Sequence, residues 1–323
     1  MPSSGRTTLC VRPRGIEGEP EREPEGVCGI ERPFTTEQIA QRDCNRSTRS
    51  MCVGTELEWQ NVTVTAAQFE EIAQVSSWIT DSSRVVVLTG AGISTDSGIP
   101  DFRGPKGLWT KNPLAEKMSD IRYYLADQEV RKLAWQNRLL SPVWTVDPNP
   151  GHHALVDLER RGKLHTLVTQ NVDELHQKAG TNPERVVEVH GTMGFSRCWD
   201  CGDRLPMKMT LDRVFAGEED PPCRECGGIL KSDTISFGQA LIPEVIDRAL
   251  RVAEECEVLL CIGTTLAVGP VNNMVPRAKY AGAKIAIVNG DPTEMDSLAD
   301  VVIFGGISQI VPMIVAGIEN LTN

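Results

Sequence analysis

Short apolar runs alternate with helical patterns along most of this chain. The runs predict buried strands at Val85–Leu88, Leu164–Thr169, Val258–Ile262, Lys284–Val288 and Val301–Phe304. Between and after the later runs, apolar residues at helical spacing predict helices at Pro243–Glu255, Pro270–Ala281 and Ile307–Leu321. Because strands that alternate with helices form parallel sheets, the pattern predicts an α/β fold with a Rossmann-like, doubly wound parallel sheet.

A further helix is predicted ahead of the first strand. The pair Thr65-x-x-Gln68 matches a capping box, which marks the beginning of a helix. One face of this helix is predicted to be buried, through Phe69, Ile72, Val75 and Ile79. We therefore expect an ordered chain from about Thr65 onwards.

One segment precedes the pattern of alternating strands and helices, and two insertions interrupt it. Residues 1–60 combine Arg, Glu, Pro and Gly with few apolar residues, which predicts a disordered N-terminal extension. Residues 61–323 are predicted to form one folded domain. Its sheet is expected from 61–107, 150–190 and 241–323, with a helical insertion at 108–149 and a cysteine-bearing insertion at 191–240.

Composition excludes several classes of function. The 323 residues include 33 Lys and Arg against 44 Asp and Glu, for a net charge of −11 and a pI of about 5.1. A chain this acidic has no basic stripe for phosphates, so we expect no nucleic-acid partner. No apolar run approaches the ~18 residues of a transmembrane helix, so we expect no membrane partner and a cytoplasmic location.

Four of the ten cysteines have metal-ligand spacing. Cys198 and Cys201 form one Cys-x-x-Cys pair, and Cys223 and Cys226 form another. Each pair can present two thiolates to one tetrahedral ion, and two such turns make a zinc ribbon over 191–240. Because cysteine fills all four positions, one structural zinc ion is predicted. Two redox dithiols are the alternative, but they would need a thioredoxin-like context that is absent here.

The stretch Val85–Gly107 gives the first sign of chemistry. Its strand leads into Gly90-Ala91-Gly92, and such a turn lets backbone N–H groups approach a phosphate, although it is equally compatible with a structural role. The residues after the turn are too polar for a packed helix and predict an ordered loop. Polar residues also follow three other strands, at Gln170–Asp173, Gly263–Thr265 and Asn289–Asp291. Since ligands of doubly wound sheets bind beyond the carboxyl ends of the strands, these ends predict a nucleotide site.

Taken in order, these motifs resemble the sirtuin family, and a bacterial-type member of it. They span about Thr65–Leu321 and comprise GAGIS at 90–94, GIPDFRG at 98–104, TQNVDELH at 169–176, VHG at 189–191, the four cysteines, GTTL at 263–266 and VNGD at 288–291. The resemblance implies an NAD-dependent protein-lysine deacylase, with acetyl as the expected acyl group. Such an enzyme transfers the acyl group to ADP-ribose and releases nicotinamide.

The resemblance also implies roles for individual residues. His190 matches the general base, because an imidazole with a pKa near ~6.5 can take a proton from a ribose hydroxyl at neutral pH. Asn171 and Asp173 complete the catalytic set, and Phe102 would cover the site that nicotinamide leaves. The residues implied to contact NAD are Gly90, Ala91, Gly92, Ser94, Asp101, Phe102, Arg103, Gln170, Asn171, Asp173, Gly263, Thr264, Thr265, Asn289, Gly290, Asp291 and Ile307.

Acylated lysine side chains of proteins are the implied substrates. The stretch Ile235–Gln239, with Phe237, Gly238 and Gln239 as its substrate-binding residues, resembles the family strand that pairs with the substrate backbone by β-augmentation. The family branch that removes dicarboxylic acyl groups has Tyr-x-x-Arg in the helical insertion. The nearest match in this chain is Trp135-x-x-Arg138, which lacks the tyrosine hydroxyl and argues against desuccinylation.

Two other functions stay open from the sequence. A mono-ADP-ribosyltransferase on the same fold would share nearly all NAD residues. A catalytically silent module that only binds NAD or acylated peptides is a third class, against which His190, Asn171 and Asp173 argue. His152 and His176 are expected to be structural, and His153 and His165 to be ordinary surface residues.

Overall fold

A parallel six-stranded sheet forms the centre of the fold. The chain is described by a computed structural model over residues 64–101 and 117–318. Within them the strands are β1 (Val85–Thr89), β2 (Leu164–Thr169), β3 (Val186–Glu188), β4 (Gly191–Cys198), β5 (Arg204–Pro206), β6 (Leu230–Thr234), β7 (Val258–Ile262), β8 (Lys284–Asn289) and β9 (Val301–Phe304). The main sheet has the order β3-β2-β1-β7-β8-β9, and all its strands are parallel. The strands β5, β4 and β6 form a separate antiparallel sheet.

Helices cover both faces of the main sheet. In the described part of the chain they are α1 (Ala66–Asp81), α2 (Ile121–Ala126), α3 (Gln128–Leu139), α4 (Pro150–Arg160), α5 (Leu175–Ala179), α6 (Met207–Phe215), α7 (Pro243–Glu255), α8 (Met274–Tyr280) and α9 (Ile307–Ala316). Val85 and Val87 of β1 pack in one core with α1, α4 and α9. Val86 and Leu88 pack in the opposite core with α7 and α8. Because successive side chains of a strand point to opposite faces, β1 is buried on both sides, which confirms the doubly wound α/β prediction.

The predicted elements of the main sheet and its helices match the structure, apart from one strand, two helices and one burial prediction. The strand β3 was not predicted, because three residues are too few for a recognisable apolar run. The helical segment at 270–281 divides into a 3₁₀ turn at Val271–Asn273 followed by α8, and α9 ends at Ala316. On α1, the prediction that Phe69 is buried is wrong: its exposure is 62%. Phe69 lies in the first turn of α1, next to Gln68, whose Nε2 donates to Phe304 O at the end of the edge strand β9.

The strand order locates the point at which ligands enter folds of this kind. From β1 the chain moves outward through β2 and β3, and β7 then returns to the other side of β1. The crossover connections therefore diverge between β1 and β7. In open α/β sheets the crevice at the carboxyl ends of two such strands is the usual ligand site. In this chain, Gly90 follows β1 and Gly263 follows β7.

A third core joins the helical insertion to the ribbon. Trp135 of α3 packs with Met207 and Leu211 of α6 and with Leu230 of β6.

No helix within residues 64–101 and 117–318 is both long and apolar enough to cross a membrane. The predicted extension at 1–60 lies outside the described residues, and the domain boundaries stay predictions.

Candidate active site

Three glycines bring the ends of β1 and β7 into backbone contact. The Gly90 N–H donates to Ile262 O (3.1 Å), and the Gly92 N–H donates to Gly263 O (2.9 Å). A Cβ atom on Gly90 would lie 2.7 Å from Gly263 O, so no side chain fits there. The sequence explained the glycines by N–H groups that meet a phosphate. In this structure neighbouring carbonyls accept both N–H groups, so packing accounts for Gly90 and Gly92, and their contact with NAD stays a prediction.

The segment after the turn is helical, where the sequence predicted a polar loop. Ala91–Ser97 forms a 3₁₀ helix, in which Ile93 and Ser94 are buried. The Asn149 side chain stabilises it from α4, since its Nδ2 donates to Ile93 O at 2.7 Å. A 3₁₀ helix suits a short segment with few apolar residues, because it needs only local bonds and one inward-facing side.

Asn171, Asp173 and Ser94 form a hydrogen-bonded group at the end of β2. The Ser94 hydroxyl donates to Asp173 Oδ2 at 2.7 Å, and Asn171 Nδ2 donates to Ser94 Oγ at 3.1 Å. Asn171 Nδ2 also donates to Gly90 O at 3.1 Å, and the Leu175 N–H donates to Asp173 Oδ1 at 3.0 Å. These bonds link the loop after β2 to the turn after β1. The structure thus brings three predicted site residues from two motifs into direct contact.

His190 and Gln170 link β3 to the same group. The His190 Nδ1 lies 2.9 Å from Gln170 O. A carbonyl only accepts, so Nδ1 carries the proton and Nε2 is the basic nitrogen of the neutral ring. Gln170 Nε2 donates to Thr264 Oγ1 at 2.9 Å, which connects this group to the end of β7. The neighbouring Thr265 is exposed.

Burial shifts the pKa values of His190 and Asp173, the two ionisable residues among these side chains. It lowers the pKa of His190, against the opposing effect of the bond to Gln170 O. It raises the pKa of Asp173, while the bonds from Leu175 and Ser94 act in the opposite direction. Since both shifts favour the neutral form, His190 is a free base at neutral pH.

Two acidic residues beside the site were not identified from the sequence as site residues. Glu174 has a left-handed backbone with φ of 59°, and its Oε1 accepts from the Thr192 hydroxyl at 2.5 Å. Burial raises the pKa of Glu188 to about 7, and the nearby Glu174 carboxylate adds to the shift. Glu174 follows the predicted site residue Asp173 directly, and its left-handed backbone is a conformation that glycine adopts most readily. In the structure its side chain joins the loop after β2 to the beginning of the ribbon.

The other predicted NAD residues lie at the remaining strand ends. Asn289 is buried and its Nδ2 donates to Asp291 O at 2.7 Å, whereas Gly290 and Asp291 are exposed. Ile307 begins α9 and is buried beside Gly263. Asp101 is partly exposed and is the last described residue before the gap. Phe102 and Arg103 lie outside the described residues.

The predicted substrate strand is a turn in this structure. Phe237 makes a single parallel bridge to Asp120, in which its N–H donates to Ser119 O at 2.8 Å. Gln239 closes the turn, since its N–H donates to Ser236 O and its Oε1 accepts from the Ser236 N–H. Gly238 has φ of 76°, which interrupts an extended chain. The strand prediction for 235–239 is therefore wrong. The helical insertion contacts this segment, and Phe237 itself is exposed.

Four thiols in the ribbon form one cluster. The sulfur atoms of Cys198, Cys201, Cys223 and Cys226 all lie within 4.8 Å of one another. The Cys198–Cys226 and Cys201–Cys223 Sγ distances are 3.5 and 3.7 Å. A tetrahedral zinc with Zn–S bonds of about 2.3 Å needs sulfur atoms about 3.8 Å apart, so the donor set fits one structural zinc ion.

The predicted acyl-specificity motif lies in the helical insertion. Its Trp135 is buried in the core that joins this insertion to the ribbon.

The residues present also fit NAD. The crevice at the carboxyl ends of β1 and β7 is the usual nucleotide position in a doubly wound sheet. Around it stand amide, hydroxyl and imidazole groups from the ends of separate strands, which suit the hydroxyls of a ribose and a carboxamide. The fit rests on this donor set and on the topological position.

Comparison with known proteins gives the same picture. The family model described as "SIR2: Sir2 family" matches residues 90–270. A Streptomyces coelicolor protein named NAD-dependent protein deacetylase 2 is 45% identical over 240 residues, which are 74% of this chain and 100% of that relative. A solved Sir2 homolog–NAD complex is 31% identical with a TM-score of 0.67, and the match covers 76% of this chain and 93% of that one.

A second solved structure bears on the substrate. It is a Sir2 protein with a deacetylated peptide and 3'-O-acetyl ADP ribose, 26% identical with a TM-score of 0.70 over 77% of this chain and 99% of that one. The family model covers more than half of the chain, and the relative from Streptomyces coelicolor is matched along its whole length. The resemblance seen in the motifs is therefore confirmed, and this chain belongs to the Sir2 family, the sirtuins.

Proposed function

We propose that this chain removes acyl groups, acetyl above all, from lysine side chains of proteins in an NAD-dependent reaction. The observation that carries the proposal is the orientation of His190. Its Nδ1–H is held by Gln170 O, so Nε2 is the basic nitrogen, in a ring joined through Gln170 to the ends of β2 and β7. A base is what this reaction requires from the protein, since no nucleophilic side chain takes part.

The surrounding residues hold the reacting groups in place. The chemistry supplied by bound NAD is an ADP-ribosyl group that accepts the acyl group when nicotinamide leaves. Nε2 of His190 takes the proton from a ribose hydroxyl, and Asn171 and Asp173 bind and orient that ribose. Ser94 fixes both of these side chains through its hydroxyl. Thr264 and Asn289 are proposed to contact the phosphates and the adenosine ribose.

Relatives support the substrate class. The Streptomyces coelicolor relative is named a protein deacetylase, and the second solved structure contains a deacetylated peptide and an acetyl ADP ribose. We propose that the exposed turn at Phe237–Gln239 meets the substrate backbone. The zinc ion has a structural role only, because four cysteines complete its coordination. A cytoplasmic location stays a prediction.

The decisive experiment follows NAD and an acetyl-lysine peptide together. Purified protein is incubated with NAD and the peptide. Nicotinamide release is then measured, and the mass of the peptide is determined by mass spectrometry. We expect nicotinamide release with loss of the acetyl group, and gain of an ADP-ribosyl group would instead identify the ADP-ribosyltransferase. His190→Ala is expected to abolish turnover, whereas His153→Ala, an exposed histidine on α4, is the matched control. Wild-type protein without nicotinamide release across several acyl-lysine peptides would refute the enzyme proposal.

A further inference from the structure

The loop after β2 is hydrogen-bonded to the beginning of β4. The loop contains Asn171 and Asp173, and β4 begins directly after His190. The Met193 N–H of β4 donates to Val172 O of the loop at 2.8 Å. The proposed base and the side chains proposed to orient the ribose therefore lie on two segments, and the contacts between these segments decide how far apart those groups are held.

The Glu174 side chain makes a second bond between the two segments. The Thr192 hydroxyl donates to Glu174 Oε1 at 2.5 Å, and Thr192 Oγ1 accepts from the Gly194 N–H at 3.0 Å. Thr192 is 4% exposed, and a hydrogen bond to a carboxylate in such a shielded place is stronger than one in water. The carboxylate thus binds the end of the loop to a residue of β4 that follows closely after the base.

Gly194 leaves the space that this carboxylate occupies. A Cβ atom at Gly194 would overlap Oε1, Oε2 and Cδ of Glu174. The backbone of Gly194 is not in the left-handed region, so its conformation does not require a glycine. The absence of a side chain at this position of β4 is explained by the Glu174 carboxylate that lies against it.

The backbone of Glu174 gives no reason for its side chain. Glu174 is the N-cap of α5, with φ of 59° and ψ of 14°, and its side chain makes no capping hydrogen bond to that helix. Glycine adopts this left-handed conformation more readily than glutamate does. The start of α5 would therefore be served better by a glycine, and the contact that the glutamate side chain makes is the one with β4.

We propose that Glu174 is a positioning residue whose carboxylate fixes Asn171 and Asp173 in relation to the base. It does so by holding the loop after β2 against β4. Asp173 lies between Val172 and Glu174, and both of these neighbours are hydrogen-bonded to β4. The effect of Glu174 on turnover rests on the proposed function, whereas its effect on the contact between the loop and β4 does not.

Two substitutions of Glu174 separate positioning from stability. Glu174→Gly removes the carboxylate but suits the left-handed backbone, so its Tm should stay within about 4 °C of wild type. Its kcat should nevertheless fall about 10-fold with an unchanged peptide KM, on the scale of one lost hydrogen bond to a charged group. Glu174→Gln keeps an acceptor for the Thr192 hydroxyl and should stay within about twofold of wild type. The control is Glu184→Ala, which removes an exposed glutamate between α5 and β3 and should leave kcat unchanged.

Gly194→Ala tests the same contact from β4. The added methyl group displaces the Glu174 side chain without changing it, so kcat should fall as it does in Glu174→Gly. In the double variant the methyl group meets no carboxylate, so Gly194→Ala should lower the kcat of Glu174→Gly by less than about twofold. Effects on kcat that multiply overturn the positioning role. So does a Glu174→Gly protein with wild-type kcat, or a Glu174→Gln protein as impaired as Glu174→Gly.

Hydrogen exchange of the full chain, followed by NMR, tests the contact without any turnover. The Met193 amide, which is bonded to Val172 O, should lose about 10-fold of its protection in Glu174→Gly and keep it in Glu174→Gln. The Val87 amide of β1, inside the main sheet, should be unchanged in both variants. Wild-type protection of Met193 in Glu174→Gly, or an equal loss at Val87, overturns the inference. A wild-type protein without turnover would refute the proposed function instead, and hydrogen exchange would still decide this inference.

Discussion

Gly263→Ala tests how tightly the candidate site is tied to the fold. Gly263 has φ of +63°, and a Cβ atom there would lie 2.4 Å from Ile93 N, 2.8 Å from Gly92 C and 2.9 Å from Ile307 Cδ1. The left-handed backbone costs an alanine about 1–2 kcal/mol, and overpacking adds about 1–3 kcal/mol. Reduced entropy of the unfolded chain offsets about 0.4–1 kcal/mol of this. We expect unfolding free energy to fall by about 2–4 kcal/mol.

The assay compares thermal unfolding and NAD binding in two glycine variants. For a domain of this size, a loss of about 2–4 kcal/mol lowers the Tm by about 4–16 °C. The displaced β1 turn should also weaken NAD binding measured by calorimetry. Gly282→Ala is the matched control, since its backbone is also left-handed but no atom lies within 4 Å of a Cβ there. A Gly263→Ala protein with the Tm and the NAD affinity of Gly282→Ala would refute the argument.

Three other variants probe the base, the metal and the buried histidines. His190→Ala should lower kcat by about 10²- to 10⁴-fold while NAD still binds by calorimetry, since general bases contribute on that scale; unchanged turnover would remove the assignment. Cys198→Ser should release zinc, measured with a chromogenic chelator, and lower the Tm, because structural zinc contributes on the order of 10 kcal/mol in small modules; full zinc content would contradict the cluster. Burial holds the pKa of His152 at about 4, below the ~6.5 of an unfolded chain. The unfolded state therefore binds the proton more tightly, and about 3 kcal/mol of stability present above pH 6.5 is lost as the pH falls to 4. Urea unfolding of His152→Gln should lose less stability over that range than wild type, and an equal loss would contradict the shift.

The sheet was predictable from the sequence because its strands are buried on both faces. Such strands are continuous apolar runs, as in Val258–Ile262, where every residue is buried. Short or irregular elements carry no such signal. The strand β3 has three residues, and the 3₁₀ helix Ala91–Ser97 has two buried ones. The turn at 235–239 was mistaken for a strand, because contacts with the helical insertion decide its conformation and no local pattern records them.

The candidate site was predictable as a set of motifs and not as a set of contacts. The polar strand ends were visible, and parallel strands bring such ends to one edge. The bond from Ser94 to Asp173 and the bond from the Thr89 hydroxyl to Thr169 Oγ1 depend on how the elements that carry these residues are placed beside one another. Thr89 and Thr169 could have been singled out as hydroxyls that end two neighbouring apolar runs, but only the structure shows that they are register partners.

The glycine turn shows why one motif was weak evidence and several were strong. Gly90 and Gly92 donate their N–H groups to Ile262 O and Gly263 O, so the protein needs these glycines for its own packing whatever ligand binds. A glycine pattern after a strand therefore does not separate a phosphate site from a close strand contact. The imidazole of His190 is different, because no packing requirement explains a ring whose Nδ1–H donates to Gln170 O and whose Nε2 stays basic at the edge where three strands end. The His190 side chain is therefore better evidence for chemistry at this edge than Gly90 and Gly92, whose presence is already explained by close backbone packing.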